Sequence, residues 1–69
     1  MRENLVSAIR EKYPAGTRIR LLLMEDPQAL PAGSEGTVES VDDVGTIHMR
    51  WDCGRSLGLI VGVDEFVAI

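Results

Sequence analysis

Short β-type runs alternate with glycine turns over residues 31–59, and this alternation constrains the fold more than any other feature of the chain. A glycine-rich turn precedes Thr37 and Val38, Gly45 leads into residues 47–51, and Gly54 leads into residues 56–60. Such spacing is typical of an antiparallel meander, in which tight turns join successive strands. The sequence therefore predicts a mainly β fold.

The first strand is predicted over residues 17–24. Side chains alternate between the two faces of a strand, so its inward positions are Ile19, Leu21 and Leu23. Leu22 and Met24 then place apolar groups on the opposite face as well, which indicates that this end of the strand is covered on both sides. The N-terminal helix is the simplest cover, and a partner chain is the alternative.

The remaining strands are shorter. Val38 and Val41 are three residues apart in the second strand, residues 37–41, so we expect a β-bulge near Glu39 or Ser40. The third strand places three side chains inward, Ile47, Met49 and Trp51, and three outward, His48, Arg50 and Asp52. A fourth strand follows over residues 56–60, and Phe66, Val67 and Ile69 close the chain. Five short strands with tight corners favour a small SH3-like barrel over a sandwich.

A short amphipathic helix is predicted at about residues 4–12, ahead of a barrel at about residues 16–69. Leu5, Val6 and Ile9 form its apolar side, and Pro14 ends it. Amphipathic helices usually bury their apolar side against their own domain, so we expect this helix to dock on the barrel. A chain of 69 residues then forms one domain.

The acidic composition restricts the classes of partner that the chain is expected to bind. Seven basic and eleven acidic residues give a formal net charge of −4. Nucleic-acid affinity depends on Lys and Arg displacing counterions, so general nucleic-acid binding is disfavoured and a partner protein with a basic surface is favoured. The apolar runs are too short for a membrane span, no secretion signal is present, and Cys53 has no second cysteine to pair with. These features predict a cytoplasmic protein.

Six short motifs occur in a fixed order. Their residues are Pro14, Gly16 and Thr17; Met24, Asp26 and Pro27; Gly33, Gly36, Thr37 and Val38; Asp42, Asp43 and Gly45; Trp51, Asp52 and Gly54; and Gly62 with Asp64. Together they resemble a small bacterial and phage family, domain of unknown function 4314. The resemblance covers about residues 13–69. It implies an SH3-like barrel encoded near mobile elements, and it implies no activity.

His48, Asp52 and Cys53 are the candidates for metal binding or catalysis. Along a strand His48 and Asp52 share a face about 13 Å apart, while Cys53 points away. One histidine provides neither a zinc cluster nor a catalytic triad, so we expect no enzyme activity, no metal and no cofactor. Trp51 is expected to fill the core.

The candidate partner-binding residues lie in the polar loop over residues 25–30 and at the next acidic corner. They are Glu25, Asp26, Gln28, Asp42 and Asp43, with the neighbouring strand edges beside them. Loops held by a rigid scaffold often carry recognition. The sequence thus favours a non-enzymatic protein-binding or regulatory module, an accessory of a mobile element. Three alternatives stay open. One is a nucleic-acid-associated small barrel that uses Arg18, Arg20, Arg50 and His48, and another is a homodimer paired through an exposed edge strand. The third is an enzyme, which a pocket with perturbed titrating groups would indicate.

Overall fold

A computed structural model describes residues 3–24 and 29–69 of the chain. One helix, α1 (Glu3–Lys12), is followed by five strands: β1 (Arg18–Leu23), β2 (Glu35–Val41), β3 (Thr46–Trp51), β4 (Leu59–Ile60) and β5 (Glu65–Ala68). All neighbouring strands pair antiparallel in one sheet of order β4-β3-β2-β1-β5. The predicted mainly β fold with a short N-terminal helix is confirmed.

The predicted SH3-like barrel does not close among the described residues, because no ladder joins β4 to β5. The fourth strand was predicted from residue 56, but β4 contains only two residues. The chain then turns tightly at residues 60–64, where the N–H groups of Val63 and Asp64 both donate to the Ile60 carbonyl, at 3.1 and 2.9 Å. A strand this short, followed by a turn this tight, leaves β4 and β5 as separate edges of the sheet.

The inward face of β3 was predicted correctly. Ile47, Met49 and Trp51 are almost fully buried, and the residues between them are exposed. They form the core together with Ile9, Ile19, Leu21, Met24, Leu30, Val38 and Leu59. The core thus joins side chains from α1, from four strands and from the segment between β1 and β2.

The predicted alternation in β1 is wrong after Leu21. Leu21 pairs with Phe66 and Leu23 pairs with Glu65, so Leu22 is an extra residue in β1. Such a bulge reverses the faces of the residues that follow it. Leu22 and Leu23 are therefore both exposed, at 47% each, and Met24 is buried. The predicted cover over a second face of β1 is therefore wrong for the described residues: Leu22 is exposed, and Met24 is buried because the bulge turns it into the same core as Ile19 and Leu21.

The bulge predicted in the second strand is confirmed. Val38 pairs with Met49 and Ser40 pairs with His48, so Glu39 is the extra residue. The bulge lets Val38 and Val41 both pack against the core although they are three positions apart.

The tetrapeptides at residues 14–17 and 31–34 form equivalent turns at opposite ends of the β1–β2 pair. In each turn the fourth residue donates its N–H to the proline carbonyl, at 3.0 and 3.2 Å. Each glycine has a positive φ, 95° and 91°, and donates its N–H to the facing strand, at Val38 O (2.8 Å) and Leu21 O (2.7 Å). Equivalent turns thus fix both ends of this ladder.

The helix docks on its own sheet, as predicted. Val6 and Ile9 are buried, and Arg10 reaches across to β2, where its Nε donates to Val41 O at 3.2 Å. Leu5, which was grouped with them, is half exposed. In the described part of the chain, no helix combines the length and apolarity that a bilayer crossing requires.

Candidate functional site

The acidic corner between β2 and β3 is held by Asp42. Its Oδ1 accepts the N–H groups of Val44 and Thr46, at 3.0 and 2.9 Å, and its Oδ2 lies 2.9 Å from His48 Nε2. The hydrogen bond to His48, followed by the bond to the Thr46 N–H, holds the pKa of Asp42 below its usual range. Asp42 therefore has a clear structural role, because short polar side chains often fix turns in this way.

Asp43 projects from the same corner into solvent. Its Oδ1 accepts Arg10 Nη2 at 2.9 Å, although the Asp43 side chain remains fully exposed. The corner thus leaves Asp43 as its more accessible carboxylate. The other predicted partner-binding residues, Glu25, Asp26 and Gln28, lie outside the described residues.

A network of ion pairs covers the outer face of β1 and β2. Arg18 holds Asp52 with two parallel bonds, Nη1 to Oδ1 at 2.8 Å and Nη2 to Oδ2 at 2.6 Å. Glu35 lies between two guanidinium groups: its Oε1 is 3.6 Å from Arg18 Nη2, and its Oε2 is 3.1 Å from Arg20 Nη2. The bidentate bond to Arg18 lowers the pKa of Asp52, and the same bond raises the pKa of Arg18.

These pairs leave little free positive charge on that face. A shallow groove of about 350 Å³ lies beside it, lined by Ala15, Thr37, Val38, Glu39 and Arg50. Its cation, Arg50, lies 3.6 Å from Glu39. Phosphate contacts need cations that can exchange counterions for phosphate, and each arginine here already has a carboxylate partner. The arrangement gives no support to the nucleic-acid alternative.

A second groove, between α1 and the turn that follows β4, is almost entirely apolar. It measures about 250 Å³ and is lined by Leu5, Ala8, Ile9, Lys12, Tyr13 and Val61. Apolar concavities of this kind are common sites for side chains of a partner. We call this feature the helix groove.

The turn at residues 60–64, which contributes Val61 to the helix groove, carries further exposed apolar side chains. Ile60, Val61 and Val63 are all exposed. The turn is fixed from within, since Asp64 Oδ2 accepts the Ile60 N–H at 2.8 Å and Gly62 has a φ of 89°. A rigid turn thus presents valine and isoleucine to solvent beside the groove.

Sequence reasoning did not identify the helix groove. The signal was present as an apolar run over residues 57–63 that extends past the end of its predicted strand. Leu5 gave a second signal. Leu5 and Val6 are adjacent in sequence, and adjacent residues on a helix point in different directions, so they cannot both be fully buried on one side.

The residues considered for metal binding or catalysis, His48, Asp52 and Cys53, line neither of the two grooves. Asp52 is bound by Arg18, and Cys53 is exposed at the turn after β3. Ser40 lies opposite His48 in the β2–β3 ladder and both are exposed, while Asp42 contacts His48 from the half-buried corner that follows β2. Within the described residues, no group of three histidine, cysteine or acidic side chains is placed to hold a metal ion.

Comparison with known proteins gives one family. A family model described as a domain of unknown function, DUF4314, matches residues 2–69. No curated protein and no solved structure matches the chain. The match extends over almost the whole sequence, so the chain belongs to the DUF4314 family.

Proposed function

We propose that this protein is a non-enzymatic protein-binding or regulatory module that contacts its partner through the helix groove and the turn at residues 60–64. The observation that carries this proposal is the apolar groove lined by Leu5, Ala8 and Val61, the last in a turn whose Ile60 and Val63 are also exposed. Exposed apolar patches on small soluble domains commonly mark interaction sites.

The proposed partner is a protein with a basic surface. The chain has a formal net charge of −4. Among the described residues, the arginines of the sheet are paired, while Glu11 and Glu65 form no ion pair. Opposite charge at the rim of an apolar contact increases the association rate and excludes partners of like charge. Asp43 at the acidic corner is a second proposed contact through its charge, which a substitution at Val44 leaves in place.

The biological setting that we propose is the cytoplasm of a bacterium, with the protein acting as an accessory of a phage or another mobile element. The single cysteine supports an intracellular location, because secreted domains of this size usually carry several cysteines in disulfides. An acidic accessory of this kind suits the basic groove of a host enzyme that handles nucleic acid.

The proposal is tested by affinity capture from a lysate of the cells that encode the chain, with half of the sample treated with nuclease. Two variants make the experiment specific: Val61→Ser lies in the helix groove, and Val44→Ser changes an equally apolar, exposed residue at the acidic corner. We expect the original chain to capture a basic protein, and nuclease treatment should not remove it. The Val44→Ser variant should still capture this protein, and the Val61→Ser variant should not.

Two outcomes would overturn this function. Equal retention by both valine variants would show that the helix groove is not the contact. A partner that disappears after nuclease treatment would make nucleic acid the ligand or the bridge, and the nucleic-acid-associated barrel would then replace the proposal.

A further inference from the structure

β5 is an edge strand, and the described residues make no backbone hydrogen bond to its outer side. Leu21, which faces Phe66 across the β1–β5 ladder, uses its N–H and C=O on the other side, with Ser34 O and Gly33 N. Ile69 donates its N–H to Arg18 O at 3.0 Å. Because bonded and non-bonded pairs alternate in an antiparallel ladder, Val67 also bonds to β1, and the N–H and C=O groups of Phe66 and Ala68 point away from the sheet.

The β5 edge has few of the features that usually prevent strand addition, and Glu65 is the one charged residue of the strand. Such edges are commonly shortened, bulged, or occupied by proline or lysine. β4, the opposite edge, has two residues, whereas β5 has four, and the bulge of the β1–β5 pair lies in β1 at Leu22. Val67 and Ile69 on the outer face are exposed, at 41% and 52%. The edge can therefore accept a further strand.

The charges around β5 define which strand fits. Glu65 begins the strand and Asp64 directly precedes it, and no cation pairs with either among the described residues. The nearest arginines of β1 are already bound, Arg18 by Asp52 and Arg20 by Glu35. A second copy would bring its own net charge of −4 to this acidic edge, so self-pairing is opposed. A strand with lysine or arginine is favoured.

We propose that the β5 edge binds an extended, basic segment of the partner protein, which adds as a sixth strand through the backbone groups of Phe66 and Ala68. Main-chain hydrogen bonds supply affinity in this mode of recognition, and side chains supply specificity. The inference rests on the proposed function and names its partner chemistry. The helix groove adjoins the same edge, since Tyr13 lines the groove and its ring lies 5.3 Å from that of Phe66.

The test uses a short peptide of alternating lysine and valine, and a matched peptide with glutamate in place of lysine. Both are titrated into the full chain labelled with ¹⁵N, and amide shifts and amide hydrogen exchange are recorded. We expect the lysine peptide to shift β5 resonances and to slow exchange at Phe66 and Ala68. The glutamate peptide should cause neither the shifts nor the slower exchange. Added salt should weaken the binding of the lysine peptide.

The variant Ala68→Pro tests strand addition at the β5 edge without disturbing the fold. It removes an N–H that points away from β1, so the β1–β5 ladder retains its bonds. The matched control is Ala32→Pro, which lies at the second position of the turn at residues 31–34, where proline is well accommodated. We expect about tenfold weaker peptide binding for Ala68→Pro, as for one lost hydrogen bond plus a steric block, and no change for Ala32→Pro.

Three results would overturn the inference: no shift with the lysine peptide, equal binding of both peptides, or a concentration-dependent dimer that Ala68→Pro abolishes, which would make a second copy the occupant. The failures of the two proposals can be told apart. A captured partner that depends on Val61 but is unaffected by Ala68→Pro leaves the protein-binding function standing and rejects the edge. Peptide binding at β5 without any captured partner protein supports the edge and rejects the function.

Discussion

Gly36 lies directly opposite Trp51 in the β2–β3 ladder, at a separation that leaves no room for a side chain. A Cβ atom at residue 36 would lie 2.9 Å from Cε3 of Trp51 and 2.9 Å from the carbonyl oxygen of Arg50. Rotation of the indole would relieve only the first contact, because the second involves the backbone. The absence of a side chain at Gly36 is therefore what lets Trp51 pack flat on β2.

Gly36→Ala should consequently destabilise the fold by about 1–3 kcal/mol, the usual range for overpacking a dense core. Urea unfolding followed by circular dichroism would measure this change. The control is Ser40→Ala on the exposed side of the same strand, which should stay within about 0.5 kcal/mol of the original chain. Equal midpoints for the two variants would contradict the close contact.

Trp51 combines burial with one hydrogen bond. It is 1% exposed, and its Nε1–H donates to Leu57 O at 2.7 Å, which ties the segment before β4 to the core. We expect blue-shifted native fluorescence that acrylamide quenches poorly. Trp51→Phe should lower the free energy of unfolding by about 1–3 kcal/mol, because it leaves a cavity and an unpaired Leu57 carbonyl. Red-shifted emission that is readily quenched in the folded state would instead indicate an exposed aromatic groove.

The sequence predicts strands well where apolar and polar residues alternate strictly. β3 shows this, because Ile47, Met49 and Trp51 can face the core in only one register. The bulge at Glu39 was also predictable, since two valines three residues apart cannot share a face without it. In the three leucines at residues 21–23 this signal is missing, so nothing local marks Leu22 as the extra residue.

The candidate site was less predictable than the fold, because it depends on contacts between distant parts of the chain. The acidic corner could be identified as a polar turn, but the pairing of Asp43 with Arg10 depends on where α1 docks. The helix groove joins Leu5 to Val61, which no local pattern connects. The free edge of β5 likewise follows from the strand order and from the direction of its backbone groups.

Acid should weaken the fold through Asp42 and Asp52. Contacts with His48 and Arg18 lower the two pKa values in the folded state. These carboxylates therefore stabilise the fold above their unfolded pKa of about 3.9, and the stabilisation is lost as pH falls through the folded pKa. The thermal midpoint, measured from neutral pH to about pH 2, should drop in this acidic range.

Asparagine variants test whether these two carboxylates cause the loss of stability at acidic pH. Asp42→Asn retains an oxygen for the N–H groups of Val44 and Thr46, so the turn is preserved while the charge is removed. The double variant of Asp42→Asn and Asp52→Asn should be less stable at neutral pH and show a flatter acid profile. Glu11→Gln, which removes an exposed acid from α1, should retain the original slope. An unchanged slope in the double variant would rule out this account.

Leu5 and Val6 are neighbours on α1 with opposite environments, so they separate stability from binding. Val6 is 2% exposed beneath the helix, whereas Leu5 is 51% exposed at the helix groove. Val6→Ala should lower the free energy of unfolding by about 1–2 kcal/mol, since it removes buried methyl groups. Leu5→Ala should change it by less than about 0.5 kcal/mol. Urea unfolding of the two variants, with the original chain as reference, makes the comparison.

The variants Leu5→Ala and Val6→Ala also test whether the helix groove binds a partner. If the helix groove is a contact surface, Leu5→Ala should reduce capture of the partner although the fold remains as stable as the original, and Val6→Ala should retain capture under conditions where it stays folded. A large loss of stability in Leu5→Ala would mean that the groove is filled by the chain itself. Loss of capture in Val6→Ala alone would mean that the position of α1, and not its exposed side, determines binding.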